Sequence, residues 1–528
     1  METLSLQSSL QQGYGIIDLA LSNIVVHFFQ GATFSVAIST IFICLTITFL
    51  YYETRRRNLR VQSFDGPRGL PFIGNLFHLK RNIGIAAEQY RIWSREYGDV
   101  FQVQLGDIPV LVVNGASTAR AIFFGNSGAL SSRPTFYTFH GIISKSAGYT
   151  MGTAPYSKSL NLGRKKTPLG KPAVASYIPI LDTETRDFIR QCLDTSNGTP
   201  IDPLPLLLRQ SLSLDLSICW GRRVSLDDPL LREIPDVEHQ IVNLRNTMTN
   251  LQDCIPLLRF PWSSTTKKAE SLRERRSIYF TELNRELDER IQMGTQKPCL
   301  RADLLSRPDV TEEELNLICL SFISAGMSPT SSTLDWSIAF LAQRPDIQEA
   351  AYQAISTHYN SDVVLGEAED DQGCEYVVAL AKECLRYFTT PRASLPRSTV
   401  KEFSWEGKVI PVGTTVFLNA WGCNMDPNIW PEPFVFDPTR WLKNPNAPLF
   451  TYGIGYRSCS GISLANRLLY LFFVRLISAF EVLKGSDVDV NPVTGATTTE
   501  DLVCSPERYT VIFKPRDEAR LRQALRKC

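Results

Sequence analysis

The residues best placed for chemistry lie in the run Tyr452-Gly453-Ile454-Gly455-Tyr456-Arg457-Ser458-Cys459-Ser460-Gly461. Gly453 and Gly455 let the backbone approach something flat and bulky. Arg457 stands two residues before Cys459 and can face an anion. An apolar helical stretch begins after Gly461, carrying Leu464, Ala465, Leu468, Leu469, Leu471 and Phe472. The start of a helix stabilises a thiolate through backbone N–H groups and the macrodipole. Together these features predict a haem pocket with Cys459 as the iron ligand and Arg457 facing a propionate.

Two further elements must stand behind such a pocket. Glu383 and Arg386, in Glu383-Cys384-Leu385-Arg386, fall on one face of a helix. The segment from Trp430 to Trp441 is an aromatic- and proline-rich meander containing Arg440. If it folds onto the Glu383 helix, Arg440 completes a buried triad. A buried Glu383 without its arginines would be costly, so the triad would fix the wall behind the pocket.

The remaining pattern supplies the scaffold. Thr311 followed by three glutamates reads as an N-cap, and Leu315, Ile318, Cys319, Phe322 and Ile323 form one apolar face. This helix should run to about Gln343, with Pro345 starting the next. Val100 to Val113 alternates around Gly106-Asp107 and predicts a hairpin. Short strands are expected around Ser398–Pro411 and Thr415–Leu418. The 528 residues are 44% hydrophobic and carry a net charge of +1, which gives no sign of a nucleic-acid partner. The 12 cysteines contain no CxxC pair and read as reduced, buried thiols facing the cytosol.

Ala32 to Tyr52 is an uncharged run long enough to span a bilayer, at roughly 30 Å. Arg55, Arg56, Arg57 and Arg60 follow it and should stay cytoplasmic, placing residue 1 in the lumen. Residues 14–29 are apolar in patches and offer an interfacial helix. Gly66-Pro67-Arg68-Gly69-Leu70-Pro71 then reads as a stiff, non-helical hinge. The expected organisation is a lumenal N-terminus and anchor over 1–60, a hinge over 61–80 and a catalytic domain over 81–528.

The cysteine loop, the E-x-x-R helix and the meander arginine, in this order, resemble the cytochrome P450 superfamily over essentially the whole chain. The anchor and hinge resemble its eukaryotic microsomal members. The resemblance implies a mainly α, prism-like fold with small β-sheets behind an N-terminal transmembrane helix. It also implies haem b on Cys459, monooxygenation with O2, and electrons from NADPH through a separate cytochrome P450 reductase. The protein would then be a single-pass endoplasmic reticulum protein, with membrane lipid around its anchor and its catalytic domain in the cytosol.

Three departures from the family pattern stand out. Tyr452 replaces the usual phenylalanine seven residues before the cysteine. The long helix reads Ala325-Gly326-Met327-Ser328-Pro329-Thr330, with Ser328 at the usual acid and Pro329 at the usual threonine. Pro329 should free a carbonyl and bend the helix, with Ser328 or Thr330 relaying protons. The W-x-x-x-R helix is missing: Tyr156 stands near the expected tryptophan and Arg164-Lys165-Lys166 lies too far on. Arg397 is therefore the expected second propionate partner.

Stretches around Ser132–His140, Lys171–Pro179 and Phe450–Arg457 resemble a fungal subgroup that hydroxylates small aromatics. That subgroup includes phenylacetate hydroxylases and the m-cresol and m-hydroxybenzyl alcohol hydroxylases of patulin-type pathways. The implied substrate is a small phenol of secondary metabolism, with catabolic hydroxylation of phenylacetate-like aromatics as the alternative. Phe136 and Phe139 would lie over the haem beside Ala325, and Arg392 would anchor a carboxylate or phenol. A haem-thiolate isomerase or dehydratase, needing no reductase, is the competing class. A non-catalytic haem protein is disfavoured by the intact Cys459, Glu383, Arg386 and Arg440 set.

Overall fold

The computed structural model describes residues 36–54, 60–82, 85–147, 149–246, 250–361, 363–497 and 502–526. The chain divides between Arg60 and Val61 into two units. In the first, Val36–Thr54 is a 19-residue helix of mean hydropathy 1.7, about 28 Å long and long enough to cross a bilayer. Its Val36, Ile41, Phe42 and Leu45 side chains are exposed, as a lipid-facing helix requires. Ala32 to Ser35, the patches over 14–29 and Arg55 to Arg57 lie outside the described residues.

The second unit is dominated by helices, with three small sheets among the described residues. β1 (Val100–Leu105) and β2 (Ile108–Val113) form the expected hairpin, closing Leu105 against Ile108. Its turn starts at Gly106 with φ +56°, a left-handed conformation that favours glycine. β3 (Arg397–Ser398), β4 (Phe403–Trp405), β5 (Lys408–Ile410) and β6 (Thr415–Leu418) follow. The first sheet has the order β1-β2-β6-β3, with β6 parallel to β2. β4 pairs with β5, and β7 (Phe480–Lys484) pairs with β8 (Val511–Pro515).

The hinge segment packs on this sheet. Asn75 donates to the Pro67 carbonyl at 3.2 Å and accepts from the Gln104 N–H at 2.8 Å. The Gln102 N–H donates to the Asp65 carbonyl at 2.8 Å. Residues from Leu76 onward are helical (Leu76–Asn82), within the stretch 61–80 expected as a non-helical hinge.

Glu312–Leu341 is the central helix. Thr311 and Glu314 form a capping box, satisfying two amide donors reciprocally. The helix runs through Pro329 without interruption, and Pro345 opens the next one. Its N-terminal half packs with the Leu204–Trp220, Leu230–Leu244 and Ser264–Gln292 helices. Its C-terminal half packs with the Glu375–Phe388 and Ile462–Ala479 helices, where Trp336 stacks on Phe388 at 5.1 Å. Helices 312–341 and 462–479 are also apolar enough to span a membrane. However, 61% and 72% of their most apolar windows are buried inside the protein.

One carboxyl strains this core. Asp335, on the central helix, is buried and accepts from the Tyr509 hydroxyl at 2.9 Å. Burial pushes its pKa up from 3.8 to about 7, with the Tyr509 hydrogen bond pulling the other way. Across roughly pH 4–7 the unfolded chain releases a proton that the folded chain keeps. Stability from this group is therefore lost as pH rises through that window. Asp335→Asn keeps an acceptor for Tyr509 and removes the charge. Thermal melts should show a larger Tm gain at pH 8 than at pH 5; equal gains would contradict the assignment.

Candidate active site

Of the described cysteines, only Cys44 in the N-terminal helix and Cys459 are exposed. Cys459 is exposed to an internal cavity of about 320 Å³ that lies where the two halves of the core meet. Gly453 (φ +66°) and Gly455 (φ +68°) both take left-handed conformations that shape its loop. A Cβ on Gly455 would come within 2.5 Å of the Phe123 carbonyl oxygen. The Cys459 N–H donates to the Tyr452 carbonyl at 2.8 Å. Its Sγ accepts from the Gly461 N–H at 3.3 Å, at the start of the Ile462–Ala479 helix. Burial pushes the thiol pKa up, while that N–H and the Arg164 charge pull it down. Tyr452 turns its hydroxyl to Asn466 Oδ1 at 2.8 Å.

The wall behind the loop is built on Glu383. Its carboxylate accepts from Arg386 at 2.8 and 2.7 Å, the Asp437 N–H at 2.8 Å and Trp441 Nε1 at 2.9 Å. Arg440 Nε stands 3.5 Å away, and its other nitrogens hold the carbonyls of Pro431, Glu432 and Val435. Arg386 also donates to the Asn424 carbonyl at 3.2 Å. The Asn424 side chain accepts from the Phe450 N–H and donates to Thr451 Oγ1. The Glu383 cluster is thereby tied to the cysteine loop.

The cavity beside Cys459 is cationic. Arg133, Arg164, Arg397 and Arg457 all line it. Arg457 donates to the carbonyls of Met151 and Ala154 at 3.0 and 2.9 Å. Arg133 donates to Gly152 at 2.9 Å, Arg397 to Ile454, and Arg164 to Ser458 at 3.2 Å. Among the described residues, none of the four has a carboxylate partner. Burial, then the charges of Arg457 and Arg164, push Arg397 down to about 9. Burial and the Arg164 charge push Arg457 down to about 10. Buried guanidiniums this frustrated call for anions. A flat group with two propionates and a metal seeking a thiolate fits this donor set. Cys459 could hold the iron, and Arg457, Arg397, Arg164 and Arg133 could hold the propionates.

Arg164 is reached from the Lys158–Lys166 helix, although the sequence spacing set it aside. Four residues before it stands the fully buried Leu160, not an aromatic. Tyr156 instead leans on Tyr456, with ring centroids 6.3 Å apart. Arg133 was not singled out from sequence, because nothing near it marks it as different from a surface arginine.

Opposite Cys459, the cavity is lined by Ala325, Gly326, Ser328, Pro329 and Thr330. Pro329 lacks the N–H that the Ala325 carbonyl would accept in a regular helix. Neither the Ser328 nor the Thr330 hydroxyl has a hydrogen-bond partner among the described residues. Thr333 donates to the Pro329 carbonyl and meets Thr390 Oγ1 at 2.7 Å.

The remaining expected pocket residues stand elsewhere. Phe139 is buried in the core, because the π-helical turn Tyr137–Ile143 aims it inward. The Phe136 N–H donates to His140 Nδ1, and its side chain does not line the cavity. Arg392 is buried outside the cavity, over the Trp421 ring at 5.4 Å and donating to the Pro492 carbonyl. Only Ala325 of that set reaches the cavity. The structure adds Asp215 and Arg245, from the Leu204–Trp220 helix and the end of the Leu230–Leu244 helix. A lone aspartate in the apolar stretch Leu212–Trp220 was the one sequence signal for the first; the second had none.

Comparison with known proteins accounts for this arrangement. The family model for cytochrome P450 matches residues 65–513. The chain is 47% identical to 3-hydroxyphenylacetate 6-hydroxylase of Emericella nidulans, covering 90% of this chain and 93% of that protein. It is 37% identical to phenylacetate 2-hydroxylase of the same organism, covering 89% and 94%. It is 34% identical to a cytochrome P450 monooxygenase of Mycosarcoma maydis, covering 94% and 96%. The chain belongs to the cytochrome P450 family and is a haem-dependent monooxygenase, with a cysteine thiolate on iron and reductase-supplied electrons.

Removing the Glu383 carboxylate leaves Arg386 buried without a counter-charge. Glu383→Ala should cost about 3–5 kcal/mol and lower haem retention in purified protein. Arg440→Ala should cost less, because Arg440 is more exposed and 3.5 Å from the carboxylate. The reverse order in melting and haem-content measurements would count against Glu383 as the hub.

Proposed function

We propose that this cytochrome P450 hydroxylates the ring of a small aryl acid of the arylacetate type, with Cys459 as the axial ligand of its haem iron. The carrying observation is the cavity, where the exposed thiol, the uncompensated arginines and the Ser328–Thr330 segment converge on one small space. Full-length similarity to two arylacetate hydroxylases supports the substrate class over a neutral cresol-type phenol. Electrons would pass from NADPH through a separate membrane reductase. The Val36–Thr54 helix would hold the enzyme in the endoplasmic reticulum membrane, with the catalytic body on the cytosolic side.

Bound haem supplies the activation of dioxygen. The protein's part is to hold the ring near it and to deliver protons. Ser328 and Thr330 present hydroxyls without protein partners to the cavity, and they are the groups to hold and pass protons there. Pro329 leaves the Ala325 carbonyl as a further acceptor beside them.

Turnover with the reductase, NADPH and isotopically labelled dioxygen tests this reading. Labelled hydroxyl should enter the ring of 3-hydroxyphenylacetate or phenylacetate. Label only in m-cresol or m-hydroxybenzyl alcohol would move the enzyme to pathway phenols. Product without label would make it an isomerase or dehydratase. Thr330→Ala should lower product formed per NADPH consumed by roughly tenfold or more, if its hydroxyl carries protons. Cys459→Ser should abolish the thiolate signature of the reduced carbon-monoxide spectrum; a surviving signature would remove Cys459 as ligand.

A further inference from the structure

Among the described residues, the cavity lining carries more positive charge than two propionates balance. Five guanidiniums line it: Arg133, Arg164, Arg245, Arg397 and Arg457. Among the described residues, the one carboxyl in its wall is Asp215. That carboxyl is buried against Gly326, where a Cβ would come within 2.4 Å of an oxygen. Its Oδ2 has no partner, and burial pushes its pKa well up, so it offers little counter-charge. Two propionates neutralise two of the five cations and leave a surplus.

Arg245 is the arginine most available to something other than haem. It lies at the end of the Leu230–Leu244 helix, apart from the loop around Cys459. Its guanidinium rests over the Phe139 ring at 5.3 Å. That ring occupies one face and leaves the donor edge free. Among the described residues it forms no hydrogen bond and no ion pair, and its Nε is buried without a partner. The carboxylate it senses, Glu238, is already taken. Arg276 binds it through two nitrogens, Tyr279 donates to it at 2.6 Å and Ser324 at 2.5 Å. His140 lies nearby, and burial and the Arg245 charge both lower its pKa, which disfavours a second cation beside Arg245.

We propose that Arg245 is the carboxylate anchor of the substrate site, receiving the acid group of an arylacetate and leaving the ring toward Cys459. This rests on the aryl-acid reading above and adds the residue that reads the acid. A planar guanidinium with an open donor edge suits a carboxylate, which it can grip through two parallel hydrogen bonds. A neutral phenol would leave this half-buried charge unpaired. Recognition of this kind rejects the uncharged analogue because the site's own polar group then stays unsatisfied.

The test is spectral titration of the haem-loaded, full-length protein with 3-hydroxyphenylacetate and its neutral counterpart 3-hydroxyphenylacetamide. The native protein should bind the acid at least about tenfold more tightly. Arg245→Gln and Arg245→Met should each weaken the acid by about thirtyfold or more and the amide by less than about threefold. The use of two neutral replacements of similar length guards against one failing to load haem. Arg245→Lys should recover part of the acid preference. The proposal is overturned if the neutral variants keep the acid preference, or if both ligands weaken equally. If the native protein binds m-cresol but neither arylacetate ligand, the aryl-acid reading itself fails.

Discussion

The buried carboxylate of Glu383 is the point on which the architecture turns. An isolated carboxylate in that position would be untenable. It is tolerated because Arg386 grips it through two nitrogens and the meander supplies an amide, an indole N–H and a second guanidinium. Those donors come from segments far apart in sequence, so satisfying one charge forces the helix and the meander together. Arg386 extends the constraint through Asn424 to Phe450 and Thr451, at the mouth of the cysteine loop. The position of Cys459 is thus set by a network centred on Glu383 that reaches the cavity only at Thr451.

On the cavity side the logic is reversed. Positive groups are held by backbone carbonyls, which orient them without neutralising them. Such a wall is unfavourable by itself and becomes favourable when anions arrive, which couples cofactor retention to the integrity of the fold. The same reasoning extends to Arg245, at the end of the Leu230–Leu244 helix. A site that stores uncompensated charge selects for charged ligands, and a neutral aromatic would leave that charge unpaired.

The central helix carries the third constraint. Its outer thirds are mostly buried, while Ala325, Gly326, Ser328, Pro329 and Thr330 line the cavity. Gly326 makes room for Asp215, and Pro329 deprives a carbonyl of its donor. Ser328 and Thr330 stay unpaired beside it. Local rules for a stable helix are broken at this one place, where the helix faces the chemistry.

Local patterns were legible in the sequence wherever one segment determines its own structure. The Thr311 capping box, the Gly106-Asp107 hairpin and the apolar run beginning in the thirties depend on neighbours a few residues away. The family, its cofactor and the Glu383, Arg386 and Arg440 set were legible too, because their spacing is distinctive. What the sequence could not assign were contacts made across the fold. Phe136, Phe139 and Arg392 looked like pocket residues and do not line the cavity, because a π-helical turn and the Trp421 packing decide where they point. Arg133, Asp215 and Arg245 looked unremarkable and line the cavity, because helices distant in sequence converge there. A residue's type and spacing limit what chemistry it can do. Only tertiary packing decides which charges are buried, which remain unpaired, and so which are available to a ligand.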